Sequence, residues 1–519
     1  MSQMLKSSGA TAIATMLSRI LGLVRETAYA YFMGTTWVAG AFKLAFMVPN
    51  LFRRLLGEGA LTAAFIPIFK SKEKTEGEAA MWHAANAVIS GLLVAASVIT
   101  AAAILGISIA LETIQFEKES TELMLRLLRV MFPYVIVVCV AAICMGMLNA
   151  RGHFFIPALG ASALNITLIG SVYLLAPQFG DEKQEQIFGL AIGVLCAGLA
   201  QALFQMPLLW REGFRFRWVS PWNNPTVRKV IRQMLPAIIG VAAYQINVLV
   251  AGGFAFAVDP QIYAAFDFAV RLMELPQGVF GVSLATYLFP TLSGLAAEKK
   301  YPEFRSTLRD GLGYLLFVNL LATALLITLA QPMIRLLLQH GEFDAIATRR
   351  TSMALVTLAP GLVAFSCVNI VARAFYALHD TKTPMKISVF CLITNALLTM
   401  PMVWFFQEAG LGIANSTTAF VNVGLLLFAL RKKLKHLDME PLRRHVLPLL
   451  MATAAAVVAA LAARWWWEQQ FGHRTMAMRM GEVFVPITSG TLAYFGVAFL
   501  ARVPFAHDVV TLFRKRFRR

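Results

Sequence analysis

Apolar stretches long enough to cross a bilayer recur from one end of this chain to the other, and no other feature constrains its fold more. The stretches fall near 8–33, 37–69, 82–108, 124–148, 156–178, 187–210, 230–256, 263–296, 307–329, 350–376, 386–405, 409–430, 446–463 and 483–503. About 20 apolar residues suffice to cross the hydrocarbon core as a helix. The second and eighth stretches are long or broken. Only 14% of the 519 residues are charged and 58% are hydrophobic, whereas soluble domains carry about 25% charge. In lipid the backbone must satisfy its own polar groups, which leaves helices or closed barrels. A barrel would read as alternating segments of about ten residues, and no such pattern runs through this chain. The expected fold is an all-α polytopic membrane protein with about 14 transmembrane helices.

The net charge of +18 would suggest nucleic acid in a soluble protein. Here the basic residues concentrate in short loops between apolar stretches, where they act as topology signals. With the N-terminus placed inside, Lys and Arg number 26 in the inner segments and 8 in the outer ones. A missed span would scramble that alternation, so both termini are expected in the cytoplasm. Trp465, Trp466 and Trp467 fall where an interfacial aromatic belt belongs. Ala28-Tyr29-Ala30 matches a signal-cleavage pattern formally, but Arg19 and Arg25 interrupt the apolar core that a signal needs. Cys139, Cys144, Cys196, Cys367 and Cys391 all lie in apolar stretches without a C-x-x-C, and read as small apolar residues.

The chain also repeats itself. Pro133 and Pro157 are 24 residues apart, and so are Pro360 and Pro384. Leu148-Asn149-Ala150 aligns with Phe375-Tyr376-Ala377 at the same offset of 227. Met16-Leu17, Gly22 and Gly34 recur as Met234-Leu235, Gly240 and Gly252 at an offset of 218. These matches predict two parallel six-helix lobes, 1–215 and 216–435, around a central cavity. Two additional helices and a basic tail fill 436–519. Parallel repeats place the expected site between the lobes.

Charges at membrane depth are costly and usually line a cavity or pair with one another. The first stretch holds Arg19, Arg25 and Glu26; the second holds Lys43, Arg53, Arg54 and Glu58; the eighth holds Asp267, Arg271 and Glu274. Arg keeps its proton and presents a planar fork that fits phosphate oxygens two at a time. An anion-binding cavity is one reading. The other is local neutralisation, because Arg19 and Glu26 share a helix face and Asp267, Arg271 and Glu274 stand at i, i+4 and i, i+3 spacing. Arg53 and Arg54 could also snorkel from a helix end. Spacing alone leaves both readings open.

Ser18-Arg19-Ile20-Leu21-Gly22-Leu23-Val24-Arg25-Glu26 resembles the S-R-x-x-G-x-x-R-[DE] opening of the lipid II flippase family (MurJ, or MviN). That family belongs to the multidrug/oligosaccharidyl-lipid/polysaccharide exporter superfamily. Pro49-Asn50-Leu51-Phe52-Arg53-Arg54, then Glu58-Gly59-Ala60 and Phe65-Ile66-Pro67, is similar to the family's second helix. Arg271-Leu272-Met273-Glu274-Leu275-Pro276-Gln277-Gly278 matches its R-L-M-E-x-P-x-G stretch. Gly341-Glu342-Phe343 and the run from Phe375 through Thr383-Pro384 resemble further family segments, in order along the chain. The resemblance implies a flippase of the bacterial cytoplasmic (inner) membrane that moves lipid II, an undecaprenyl diphosphate-linked disaccharide-pentapeptide, to the outer leaflet for cell-wall synthesis. It implies alternating access, with an ion gradient or the membrane potential as the drive and no organic cofactor or metal. It assigns Arg19, Arg25, Arg53 and Arg271 to substrate binding. It gives Ser18, Glu26 and Glu58 a part in the gate, with Asp267 and Glu274 as ion-pair partners. Proteins of cell-wall synthesis are the expected partners. Two positions depart from the pattern: Gly40 stands where many members have Asp, and Val270 precedes Arg271 where Asp is common.

Rival functions have their own signatures. A sister exporter of drugs or of another polyprenyl-linked sugar would share the fold with a different arginine set. A polyprenyl-phosphate glycan enzyme needs catalytic carboxylates or His in a substantial outer loop, and the longest outer loop offers His340, Glu342 and Asp344. The chain has no G-x-x-x-x-G-K-[ST] and no H-E-x-x-H. His379-Asp380 reads as a solvated loop, and Gly252-Gly253 as a close helix contact. A transporter that makes and breaks no bond is the expected class.

Overall fold

The computed structural model describes residues 2–53, 55 and 61–508. Arg54 and Glu58 lie outside the described residues. The described chain is helical throughout: α1 (Ser2–Met33), α2 (Trp37–Phe52), α3 (Leu61–Glu76), α4 (Glu78–Thr113), α5 (Glu119–Met131), α6 (Tyr134–Ala150), α7 (Phe155–Gly170) and α8 (Lys183–Arg211) come first. They are followed by α9 (Pro225–Val258), α10 (Pro260–Pro276), α11 (Ser283–Ala297), α12 (Tyr301–Thr328), α13 (Ala330–Leu338), α14 (Ala345–Leu358), α15 (Gly361–Ala377), α16 (Lys382–Leu434), α17 (Glu440–Gln470) and α18 (Met476–Leu500). A π-helical turn, Ser171–Leu175, extends α7, and another, Gln277–Val282, joins α10 to α11.

Eight helices among the described residues are long and apolar enough to cross a membrane. The pairs α5–α6 and α14–α15, each bent by 45°, bring the number to 10. The bends sit at Pro133 and Pro360, the N-cap residues of α6 and α15, where proline removes a backbone donor and crowds the preceding turn. The protein is therefore a multi-pass, all-helical membrane protein. Part of the difference from the expected count of about 14 lies in α16. At 53 residues, α16 would be about 80 Å long if continuous, far more than a bilayer needs. It breaks at Gln407, where φ is 51° and ψ is −123°, and so contains two expected segments. α2 is only 16 residues long.

The chain forms two compact units, Met1–Ala264 and Ala265–Arg519. In the first, small residues let helices approach closely. A Cβ on Gly193 of α8 would lie 2.3 Å from the Ser171 side chain, and one on Gly252 of α9 would lie 2.8 Å from the Tyr263 ring. The ends of α3, α4, α6 and α8 are tied by one charge network. Arg151 donates to Glu73 at 2.5 Å, Glu78 at 2.8 Å and Glu212 at 2.8 Å. His153 Nε2 stands 2.8 Å from Glu212. Hydrogen bonds from Arg151 and then His153 hold the Glu212 carboxyl below its usual range.

In the second unit, α12, α15, α16 and α17 surround a core that includes Phe304, Leu308, Ile370, Phe375 and Leu430. Ala452, Ala456 and Ala460 are buried along α17, and a Cβ on Gly490 of α18 would meet the Ala456 carbonyl oxygen at 3.0 Å. The Tyr494 hydroxyl fastens α18 to α12 by donating to the Phe317 carbonyl at 2.7 Å. Arg335, one of the eight basic residues counted to the outer segments, belongs instead to the helix α13 and is only 9% exposed. Its Nη1 donates to both oxygens of Glu482 on α18, at 2.7 and 3.0 Å. Glu482 is 0% exposed. Trp465 and Trp466 are exposed as a belt requires, while Trp467 turns inward, its Nε1 donating to the Met478 carbonyl at 2.9 Å.

The His379-Asp380 loop is more ordered than a solvated loop. Asp380 accepts from Lys433 Nζ at 2.7 Å and from the backbone and hydroxyl of Thr383 at 3.0 and 2.9 Å. The Lys433 hydrogen bond, with those from Thr383, takes its carboxyl from 3.8 to about 2. A carboxyl depressed on folding stabilises above its unfolded value and loses that contribution as pH falls through the folded one. Lys433 is part-exposed, so the pair contributes about 1 kcal/mol. Asp380→Asn should therefore be less stable than the parent at neutral pH. The gap should close between pH 4 and 2, as read by thermal unfolding across that range.

Candidate functional site

In the first unit, α1 carries the arginines and α7 receives them. Arg25 Nη1 donates to Asn165 Oδ1 at 3.0 Å, and its Nη2 donates to Glu26 Oε1 at 2.5 Å. Asn165 Nδ2 donates in turn to the Ser18 carbonyl at 3.2 Å. Gly22 lies one turn before Glu26, and a Cβ there would already be 3.8 Å from the Asn165 amide, so glycine lets the two helices meet at that point. Glu26 is 5% exposed and Lys43 6%, with Lys43 Nζ 3.7 Å from Glu26 Oε2. The buried carboxylate thus faces cations from α1 and α2, which offsets the cost of holding charge away from water. Arg25 also stands over the Tyr29 ring, 5.8 Å from its centre, a cation–π distance. Arg19 and Glu26 share a helix face by spacing, but the carboxylate is used by Arg25 and Lys43.

Ser18, Arg19 and Arg53 line a cavity of about 250 Å³ with residues of α6, α7 and α8. α2 contains Pro49 near its end, and Arg53 closes the helix as its C-cap. Arg53 Nε donates to Asn50 Oδ1 at 2.7 Å, which fixes the start of the side chain. Alanines at 141, 142, 158 and 161 provide the room. In the second unit, Arg271 on α10 donates to Glu274 at 3.1 Å and to Asp267 at 3.5 Å. Asp267, one turn before Arg271, supplies a carboxylate where Val270 has none. The helix turns π-helical directly after Pro276, and π-helical turns frequently mark functional positions.

The structure brings Ser18, Arg19 and Arg53 to one cavity, joins Arg25 with Glu26, and joins Arg271 with Asp267 and Glu274. Asn165 and Gln201 were missed by sequence reasoning. Each is a carboxamide with apolar residues on both sides, at Leu164-Asn165-Ile166 and Ala200-Gln201-Ala202. That was the available signal, though uncharged polar residues in membrane helices most often serve packing.

Comparison with known proteins agrees with this architecture. A solved lipid II flippase MurJ in an inward closed conformation superposes with a TM-score of 0.75 at 24% identity, over 96% of this chain and 99% of that one. A solved inward-facing multidrug resistance MATE family transporter of the MOP superfamily superposes with a TM-score of 0.68 at 15% identity, over 83% of this chain and 99% of that one. Both likenesses concern the fold. A probable lipid II flippase MurJ of Bdellovibrio bacteriovorus is 32% identical over 505 residues, 96% of this chain and 95% of that protein. The family model described as lipid II flippase MurJ matches residues 29–481. With that match across most of its length, the chain belongs to the lipid II flippase MurJ family.

Proposed function

We propose that this protein moves lipid II from the inner to the outer leaflet of the bacterial cytoplasmic membrane by alternating access, with Arg19, Arg25, Arg53 and Arg271 as the side chains that hold its diphosphate. The convergence of Arg19 and Arg53 on one cavity of the first unit carries the assignment. Guanidinium groups at membrane depth are costly unless they have an anion to meet, and a diphosphate offers several acceptor oxygens to planar donors. Glu26, paired with Arg25 and Lys43, and the Asp267–Arg271–Glu274 trio serve as the ion pairs that change partners during transport, with Ser18 and Glu58 at the gate. The lobes 1–215 and 216–435 are the transporting repeats, 436–519 is an appendage, and both termini are cytoplasmic. Transport breaks no bond; an ion gradient or the membrane potential drives it, about 2.3 kcal/mol per charge per 100 mV.

The test is lipid II exposure on cells depleted of their own flippase, measured as cleavage by an externally added lipid II hydrolase. The parent chain is expected to restore cleavage. Arg25→Ala and Arg271→Ala should each reduce it by about 10–100-fold, the worth of a charge-assisted hydrogen bond. Well-inserted variants that transport at the parental rate would remove these arginines from the site. Parent protein that inserts without restoring cleavage would point to a sister exporter with another cargo.

A further inference from the structure

We infer that the second unit holds an anionic phospholipid in a cavity between α12, α15, α16 and α17, with its phosphate on Arg431 and Arg443 and an acyl chain inside. The cavity measures about 700 Å³, within the roughly 300–1,000 Å³ of sites that enclose a ligand. Leu316 of α12, Cys367 of α15, Val423 of α16 and Val446 of α17 contribute to its apolar walls. Phe420 and Phe428 border it and are exposed, so its opening faces the bilayer. Ionisable side chains gather at one end only. Arg431 lies in the last turn of α16, His436 follows that helix, and Glu440 and Arg443 lie in the first turn of α17. The carboxylates nearby are engaged elsewhere. Asp438 accepts from Arg309 at 3.0 Å, Asp380 accepts from Lys433 at 2.7 Å, and Glu440 stands 3.6 Å from Arg444. Arg431, His436 and Arg443 have no hydrogen bond or ion pair among the described residues.

The two ends of the cavity together define its occupant. Guanidinium groups where helices leave the membrane attract a phosphate, and an apolar chamber beside them takes a chain joined to that phosphate. From Arg431 back to Phe420, α16 rises about 16 Å. That is about half of the roughly 30 Å hydrocarbon core, the depth of one leaflet and the reach of one acyl chain. A free phosphate would leave the chamber empty. The prenyl tail of a lipid-linked glycan is much longer than one leaflet is deep and would overrun it. With both termini in the cytoplasm, as proposed above, the leaflet is the inner one, whose anionic lipids attract basic side chains near the membrane surface. A lipid seated there bridges the end of α16 to the start of α17, at the joint where the C-terminal hairpin leaves the rest of the unit.

The experiment titrates the purified full-length protein in detergent with phosphatidylglycerol or phosphatidylethanolamine and counts bound lipid by native mass spectrometry. Phosphatidylglycerol should bind in preference. Arg431→Ala and Arg443→Ala should each weaken it about fivefold, the worth of one basic side chain beside anionic lipid. Lys432→Ala removes the same charge at the next position, which does not line the cavity, and should leave the affinity unchanged. Val423→Trp fills the chamber without touching the arginines and should also weaken phosphatidylglycerol. Equal binding of the two lipids would overturn the inference. So would Lys432→Ala acting as strongly as Arg431→Ala, which would mean that surface charge alone attracts the lipid. Parental affinity in Val423→Trp would place the chain outside the cavity and overturn it as well. Undecaprenyl phosphate displacing phosphatidylglycerol at equal concentration would give the cavity to a prenyl tail instead. Lipid II transport is read separately by the hydrolase assay, so the transport proposal stands or falls without this one.

Discussion

Glu482→Leu is expected to lower the stability of the second unit by about 3–5 kcal/mol, the cost of removing one member of a buried ion pair. Arg335 would lose both short contacts, at 2.7 and 3.0 Å, and keep only the Glu468 carboxylate of α17 as a counter-charge. Arg335→Leu should cost as much, because Glu482 is 0% exposed and water cannot solvate it. The double variant Arg335→Leu/Glu482→Leu is expected to recover most of the loss, since a well-packed apolar pair often equals a buried ionic one. Thermal unfolding of the purified variants reads this directly. Each single change should lower the midpoint by roughly 6–10 °C for a unit of this size. Singles that unfold with the parent would show that water or lipid head groups reach the pair. The pair joins α13 to α18, so its loss should act on the anchorage of the C-terminal hairpin. Arg464 on α17 also reaches the Thr328 carbonyl at 3.3 Å, so the hairpin keeps a second tie.

Restoring the family's common aspartate at position 40 should harm this protein. A Cβ on Gly40 would lie 2.2 Å from the Pro260 carbonyl oxygen and 2.7 Å from its carbonyl carbon. Both are backbone atoms, so no rotamer change relieves the contact, and α2 must move from the start of α10. Gly40→Ala is expected to cost about 1–3 kcal/mol by overpacking. Gly40→Asp should cost more, because it also sets a carboxylate against a carbonyl oxygen at a buried position. The sign is the diagnostic feature. Gly→Ala inside a helix ordinarily stabilises by about 0.5–1 kcal/mol, and Gly106→Ala on α4, where a Cβ meets nothing within 4 Å, serves as that control. Gly40→Ala behaving like Gly106→Ala would show that the two helix ends separate freely.

The sequence made the helical segments legible because lipid enforces long apolar runs, and those runs survive in any partner arrangement. Pro133 and Pro360 appeared first as markers of a repeat and proved to be the bends of two spans. The ionic residues of the candidate site stood out because charge is rare at membrane depth. Their partners were not. Arg25 meets Asn165 across 140 residues, and no local spacing encodes that meeting. Asp267, Arg271 and Glu274 pair along one helix turn, as i, i+3 and i, i+4 geometry allows. The pairing of Arg335 with Glu482 escaped notice because the two are 147 residues apart, and a charge near a span end looks like a loop residue. Gln201 escaped because it is uncharged.

The break at Gln407 has a consequence for how the chain is made. Glu408 follows the break and is buried, paired with Arg350 of α14. Between Lys386 and Arg431 it is the only charged residue, so the hairpin of α16 enters the bilayer with a single carboxylate at its tip. Synthesis runs from the N-terminus, so Arg350 has already been threaded into the membrane when Glu408 leaves the ribosome. The earlier helix is a prepared berth for the later tip. The order of translation is thus matched to the order in which these charges need each other.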